Sequence, residues 1–193
     1  MSVIVAIKDN GAIYMGADSQ TTSSNRKFTY LNETCHKIVK LDNGILVGFC
    51  GKVAARQAIL SYGDIFTLDS NGELTKEHIV TQIVPKLVDK IEQIGDEERG
   101  SLDVSILLAY KDVMFRIPSS MCVFKQNEIA RIGAGMDFVD YTLWERTDLP
   151  VRDRIIKALV SSAKRTESVS GPYVLIDTLT NQYEIVDMGD ENH

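Results

Sequence analysis

Residues 1–22, MSVIVAIKDNGAIYMGADSQTT, decide the fold. Val3 to Ile7 and Ala12 to Ala17 are short runs of β-branched and small apolar residues. Between them lies Asp9-Asn10-Gly11, a tight-turn signal, so the stretch predicts a β-hairpin. The outer strand starts at a hydroxyl residue, Ser2, directly behind Met1. The return strand ends at an acid, Asp18. A hydroxyl residue that becomes the chain terminus gains a general base from its own α-amine, whose ordinary pKa of roughly 7.7–8.0 is close to working pH.

Outward from this hairpin the pattern repeats. Lys37 to Leu41, a turn at Asp42-Asn43-Gly44 and Ile45 to Cys50 predict a second hairpin, its return strand apolar enough to be covered on both faces. The polar stretch Ser19 to Thr34 between the hairpins is expected to be a loop or an irregular extension. Two helices are expected next. The first spans Lys52 to Tyr62. The second is capped by Thr75 and carries Ile79, Val80, Ile83, Val84, Leu87, Val88 and Ile91 at helical spacing, with Pro85 as an interruption. Gly95 to Gly100 reads as an acidic loop. Strands return at Val104 to Tyr110, Val113 to Ile117 and Glu128 to Ile132. Helices Met136 to Arg146 and Val151 to Lys164 follow, then strands Tyr173 to Asp177 and Tyr183 to Val186. Ile155, Ile156, Leu159, Val160 and Ala163 make the buried stripe of the last helix. Hairpins alternating with helix pairs predict an α+β protein, a four-layer α-β-β-α sandwich of two antiparallel sheets, with residues 1–193 as one domain.

Composition excludes several function classes. The 193 residues, 44% hydrophobic and 25% charged, describe an ordinary folded chain. Acids outnumber Lys plus Arg by 27 to 21, for a net charge of −6, which argues against nucleic acid as a partner. No run approaches the ~20 apolar residues of a membrane span, and the N-terminus has no basic segment of a secretory signal. Cys35, Cys50 and Cys122 are odd in number and lack metal-type spacing, so reduced thiols and a cytoplasmic location are expected. His36, His78 and His193 are scattered, and neither a metal site nor a cofactor is implied.

Four segments, in order, carry a family resemblance. Ser2-Val3-Ile4-Val5-Ala6, Gly16-Ala17-Asp18-Ser19-Gln20-Thr21, His36-Lys37-Ile38-Val39-Lys40-Leu41 and Val47-Gly48-Phe49-Cys50-Gly51 resemble the mature start, second strand, lysine-bearing strand and glycine-containing strand end of proteasome β-type subunits. They equally resemble the peptidase subunit of the bacterial two-component ATP-dependent protease. Both are N-terminal-nucleophile hydrolases. The resemblance implies peptide-bond hydrolysis, with Ser2 as nucleophile after loss of Met1. Lys37, held by Asp18, would lower the pKa of the nearby amine. The Gly48 amide would face the oxyanion. In the segment Lys164 to Gly171, Glu167 and Ser170 would brace the amine. By the same correspondence Thr21, Cys35, Val39, Leu46, Cys50 and Ala54 would line a pocket for an apolar side chain. The resemblance further implies homo-oligomeric rings, unfolded protein or peptide substrates and an AAA+ ATPase partner.

Two departures cut the other way. The family's nucleophile is normally threonine, and serine lacks the methyl that restrains its rotamer. Gly133-Ala134-Gly135 resembles a Gly-Ser-Gly turn whose hydroxyl reaches the nucleophile, and Ala134 has none. The alternative is therefore a non-catalytic structural subunit that keeps the ring contacts; a third reading is an amidase acting on small molecules. Each residue also has a plain reading by itself: Ser2 as an ordinary second residue, Lys37 as a solvated edge lysine, Gly48 as a close-packing glycine.

Overall fold

The computed structural model describes residues 2–23, 26–29, 36–61, 64–94 and 104–188. Two five-stranded antiparallel sheets form its centre. The first has the order β10 (Ile129–Ile132), β1 (Ile4–Asp9), β2 (Ala12–Asp18), β11 (Tyr173–Asp177), β12 (Glu184–Val186). The second has the order β5 (Ile38–Lys40), β6 (Leu46–Gly51), β7 (Val104–Tyr110), β8 (Val113–Ile117), β9 (Phe124–Gln126). Ile4, Ala6, Ile13 and Met15 of the first sheet pack against Leu46, Cys50, Leu107 and Met114 of the second. The period-two alternation of these strands sends their other faces outward, to be covered by helices. Val3, Val5, Tyr173 and Leu175 pack beneath α5 (Val151–Ala163), and Val47, Phe49, Ile106 and Phe115 beneath α1 (Val53–Ser61) and α3 (Val84–Ile94). The two-sheet sandwich with outer helices is the expected α+β architecture.

Four details differ from expectation. The polar stretch after Asp18 is not a plain loop: β3 (Gln20–Ser23) pairs with β4 (Arg26–Thr29) in a small two-stranded sheet. Its Thr-rich strand has no apolar alternation, so pattern reading passed over it. The helix expected from Met136 is split into a 3-10 turn, Met136–Phe138, and a short α4, Asp140–Glu145. The short edge strand β9 had no signal of its own. The helix capped by Thr75, whose Oγ1 accepts from the His78 amide at 3.2 Å, runs through α2 (Lys76–His78) and a π-turn at Ile79–Ile83 before continuing as α3. There Val84 N donates to Ile79 O. Pro85 follows at once and has no amide to give, so the wide turn absorbs the interruption the sequence signalled.

One glycine fixes how α5 lies on the first sheet. A Cβ on Gly16 would stand 2.3 Å from Ile155 Cγ2 and 3.2 Å from Leu159 Cδ1. The helix therefore rests directly on the backbone of β2, and the end of β2, at Asp18, keeps a fixed relation to the C-terminal turns of α5. Among the described residues no helix is long and apolar enough to cross a membrane.

Candidate active site

The site is built where β1 begins and β2 ends. Asp18, 1% exposed, closes β2 and turns its carboxylate onto three donors. Oδ1 accepts from Lys37 Nζ at 2.7 Å and from Val3 N at 2.9 Å; Oδ2 accepts from Gln20 N at 3.3 Å. Lys37 comes from the second sheet, one residue before β5, where its carbonyl takes the Phe49 amide at 2.8 Å. Both side chains of the pair are nearly out of solvent. Burial pushes the Asp18 carboxyl up from its ordinary value, while the Lys37 ammonium and the Val3 and Gln20 amides pull it down.

Ser2 lies at the same place, 8% exposed. Its carbonyl accepts from Gly135 N at 3.2 Å. Gly133 has φ +97°, and a Cβ there would lie 2.2 Å from Ser2 O and 2.8 Å from Cys50 Sγ. Only a residue without a side chain lets the turn after β10 close over the start of β1 in this way. Cys50 completes the contact from the second sheet. Burial pushes its thiol up to about 12, while the neighbouring Lys37 ammonium and the Ser2 side chain draw it down. The thiol is therefore un-ionised at neutral pH and packs as a small apolar group.

Sequence-predicted residues divide into those this end of the sandwich gathers and those it does not. Ser2, Asp18, Lys37 and Cys50 come together. Gly48 is a correction. Phe49 N points to β5, so the amide before it points the other way, to β7, where Gly48 stands opposite Leu107. That amide belongs to the sheet ladder, and a Cβ on Gly48 would stand 3.1–3.3 Å from Ile4 and Met15. Leu46 is a second correction. It is fully buried between the sheets, four residues back along β6 from Cys50, roughly 13 Å by strand rise. Thr21 and Val39 are half-buried on β3 and β5. Ala54 is in α1. Cys35 and Met1 lie outside the described residues, as does the Gly95 to Gly100 loop.

The segment after α5 meets the site through its backbone. Gln20 Nε2 donates to Glu167 O at 2.9 Å, and Ser19 N to Ser170 O at 3.2 Å. Glu167 itself is exposed and Ser170 half-buried; the neighbouring buried hydroxyl is Ser168, 2.7 Å from Thr166 Oγ1. Ala134 is exposed on its turn. Sequence reasoning missed Gln20, whose amide and side chain join Asp18 to the 167–170 segment. It also missed Ser162, fully buried on α5, whose Oγ donates to Gly135 O at 3.1 Å. A hydroxyl three residues beyond Leu159, in phase with the apolar stripe, was the signal available for it. Among the described residues no group of three or more His, Cys, Asp or Glu side chains is arranged to hold a metal ion.

A buried lysine–carboxylate pair beside a hydroxyl residue at the start of a strand, in a two-sheet sandwich, agrees with the family model for proteasome subunits, which matches residues 2–166. The chain belongs to the proteasome subunit family. Similar solved structures of this family's fold span nearly all of the chain at low identity. BPH of Thiobacillus denitrificans is 14% identical, with a TM-score of 0.71 over 96% of this chain and 99% of that one. Anbu of Yersinia bercovieri is 15% identical, with a TM-score of 0.74 over 97% and 88%. The HslV of Trypanosoma brucei is 14% identical, with a TM-score of 0.62 over 91% and 98%. What these likenesses give the proteasome-family chain is its fold; the chemistry rests on its own residues.

Proposed function

We propose that this chain is a proteasome-like endopeptidase whose nucleophile is Ser2 once Met1 has been removed. The observation that carries the reading is the Asp18 carboxylate, which holds Val3 N at 2.9 Å and Lys37 Nζ at 2.7 Å through one oxygen. A buried ion pair is a costly feature for a strand end that does no chemistry, and this one is tied to the residue next to the proposed nucleophile. Removal of Met1 frees the Ser2 amine in the field of Lys37, which favours its neutral, proton-accepting form. The Ser2 Oγ attacks the peptide carbonyl, and its proton passes, through water, to the amine. The tetrahedral intermediate then expels the peptide's amine, which takes that proton, and leaves an ester on Oγ. Water hydrolyses the ester and returns Ser2. For the oxyanion, strand alternation favours Gly51 over Gly48: its amide is the last on β6 with the same direction as that of Phe49, away from β7. The buried neutral thiol of Cys50 and half-buried Val39 fit an apolar substrate side chain. The resemblance adds a homo-oligomeric ring in the cytoplasm, supplied with unfolded chains by an AAA+ ATPase.

A second reading has its own support. Ala134 offers no hydroxyl and Glu167 is exposed, so two of the family's supporting groups are missing from the places expected, as in a subunit kept for assembly alone. One experiment separates the two. Intact mass of the protein purified from its own host reports whether Met1 is gone. A peptidyl epoxyketone, which needs a hydroxyl and a free amine on one residue, is then added. A processed chain that takes one equivalent at Ser2, with no adduct on Ser2→Ala, supports the peptidase. Retained Met1, or a processed chain that stays unlabelled and cleaves no fluorogenic peptide, supports the structural subunit.

A further inference from the structure

The peptide unit between Ser2 and Val3 is gripped on both sides. Its N–H is held by Asp18 and its C=O by the Gly135 amide, at 2.9 and 3.2 Å. In a planar trans peptide these two groups point in opposite directions. Fixing both sets the plane of the peptide, and with it the direction in which Ser2 carries its side chain and its amine. The Asp18 side of the grip is anchored by Lys37 and by the end of β2. The Gly135 side needs an anchor of its own, because it belongs to a short turn.

We infer that Ser162 is that anchor, a positioning residue that sets the Ser2–Val3 peptide from α5 by way of Gly135. Its hydroxyl, fully buried, donates to Gly135 O at 3.1 Å, and that carbonyl also accepts the Phe138 amide at 3.2 Å. The approach is close: a Cβ on Gly135 would stand 2.4 Å from Ser162 Oγ and 3.0 Å from Val3 Cβ. The Ser162 carbonyl does a second job. It accepts the amides of Arg165 and Thr166, both at 3.0 Å, and so directs the chain out of α5 into the 167–170 segment that meets Ser19 and Gln20. One buried residue thus fastens both flanks of the site to a helix whose seat on β2 is set by Gly16. Its catalytic consequence rests on the peptidase reading above; the mechanical link does not.

The test compares Ser162→Ala with Ser161→Ala in the full chain processed to Ser2. Ser161 is the matched control, since its Oγ reaches the same turn, at Phe138 O and 3.3 Å, without touching Gly135. Amide exchange is read at Gly135 and Val3, and epoxyketone capture of Ser2 is split into binding and reaction steps. Loss of one buried hydrogen bond corresponds to roughly tenfold. Ser162→Ala should therefore speed Gly135 exchange and slow the reaction step by about that factor, with inhibitor binding unchanged, and Ser161→Ala should do neither. Gly135 exchange equal to the parent's in Ser162→Ala, or equal acceleration in both variants, overturns the inference. If exchange responds as expected but even the parent chain takes no label, the peptidase reading fails and the link from Ser162 to Ser2 stands.

Discussion

The β1–β2 hairpin has two ends, and each is tied to the rest of the molecule by an ion pair of almost the same length. At the site end Lys37 Nζ lies 2.7 Å from Asp18; at the turn end Lys8 Nζ lies 2.8 Å from Asp112. The side chains are 7% and 0% exposed in the first pair, 35% and 53% in the second. Equal distance does not mean equal weight. The outer pair trades water for a partner at little gain. The inner pair cannot lose one member without stranding a charge among apolar groups.

Removing one partner at each end tests that contrast most directly. Asp18→Ala should cost about 3–5 kcal/mol in chemical denaturation, since it leaves Lys37 buried and the Val3 amide unmatched. A cost near 1 kcal/mol would mean that the site end is no more demanding than the surface. Gly133→Ala comes next. A left-handed backbone at a residue with a Cβ costs about 1–3 kcal/mol, and here the new carbon also meets Ser2 O. Lower stability with displaced resonances at Ser2 and Val3 is expected; an unchanged spectrum would show that the turn is not closed over β1. Cysteine chemistry sharpens the same division. Iodoacetamide should modify exposed Cys122 well before Cys50, whose thiol burial pushes up to about 12. Equal rates, read by peptide mass, would place Cys50 in contact with solvent. At the turn end Lys8→Ala should change stability by less than about 1 kcal/mol.

The smallest effect is a pH dependence on another outer pair. Arg152, in α5, donates to Glu184 of β12 and holds that carboxyl below its usual range. A depressed carboxylate pKa adds stability above the ordinary glutamate value, and that contribution is lost as pH falls through the folded-state value. Comparing melting temperatures of the parent and Arg152→Ala between neutral and acidic pH should show a gap that narrows on acidification. A gap that widens would reverse the sign.

The same inside–outside division governs what could be read beforehand. The two hairpins and the stripe of α5 were legible because period-two and period-3.6 burial writes itself into residue order. Asp18 and Lys37 were legible as a pair only because four segments together matched a family. β3, β4 and β9 were not legible: their pairing is made by backbone groups, and their side chains carry no apolar alternation. Gly48 misled because a glycine in a strand end fits an open amide and a close packing contact equally well, and register alone separates the two. Gln20 meets the Glu167 carbonyl across 147 positions of chain, and Ser19 meets the Ser170 carbonyl across about 151, a kind of contact that no local pattern encodes.

Ile79, Ile83, Leu87 and Ile91 are all buried against the second sheet at a stride of four. In a regular helix four residues overshoot a full circle by about 40°, so three such strides would carry Ile91 about 120° round the axis from Ile79. The wide turn at Ile79–Ile83 slows the winding and keeps the row facing inward. It follows that this stretch should forgive a change of letter far more readily than a change of count. Excising a single residue from the regular helix between Leu87 and Ile91, where no wide turn can tighten to take up the change, would swing Ile91 about 100° away from the sheet.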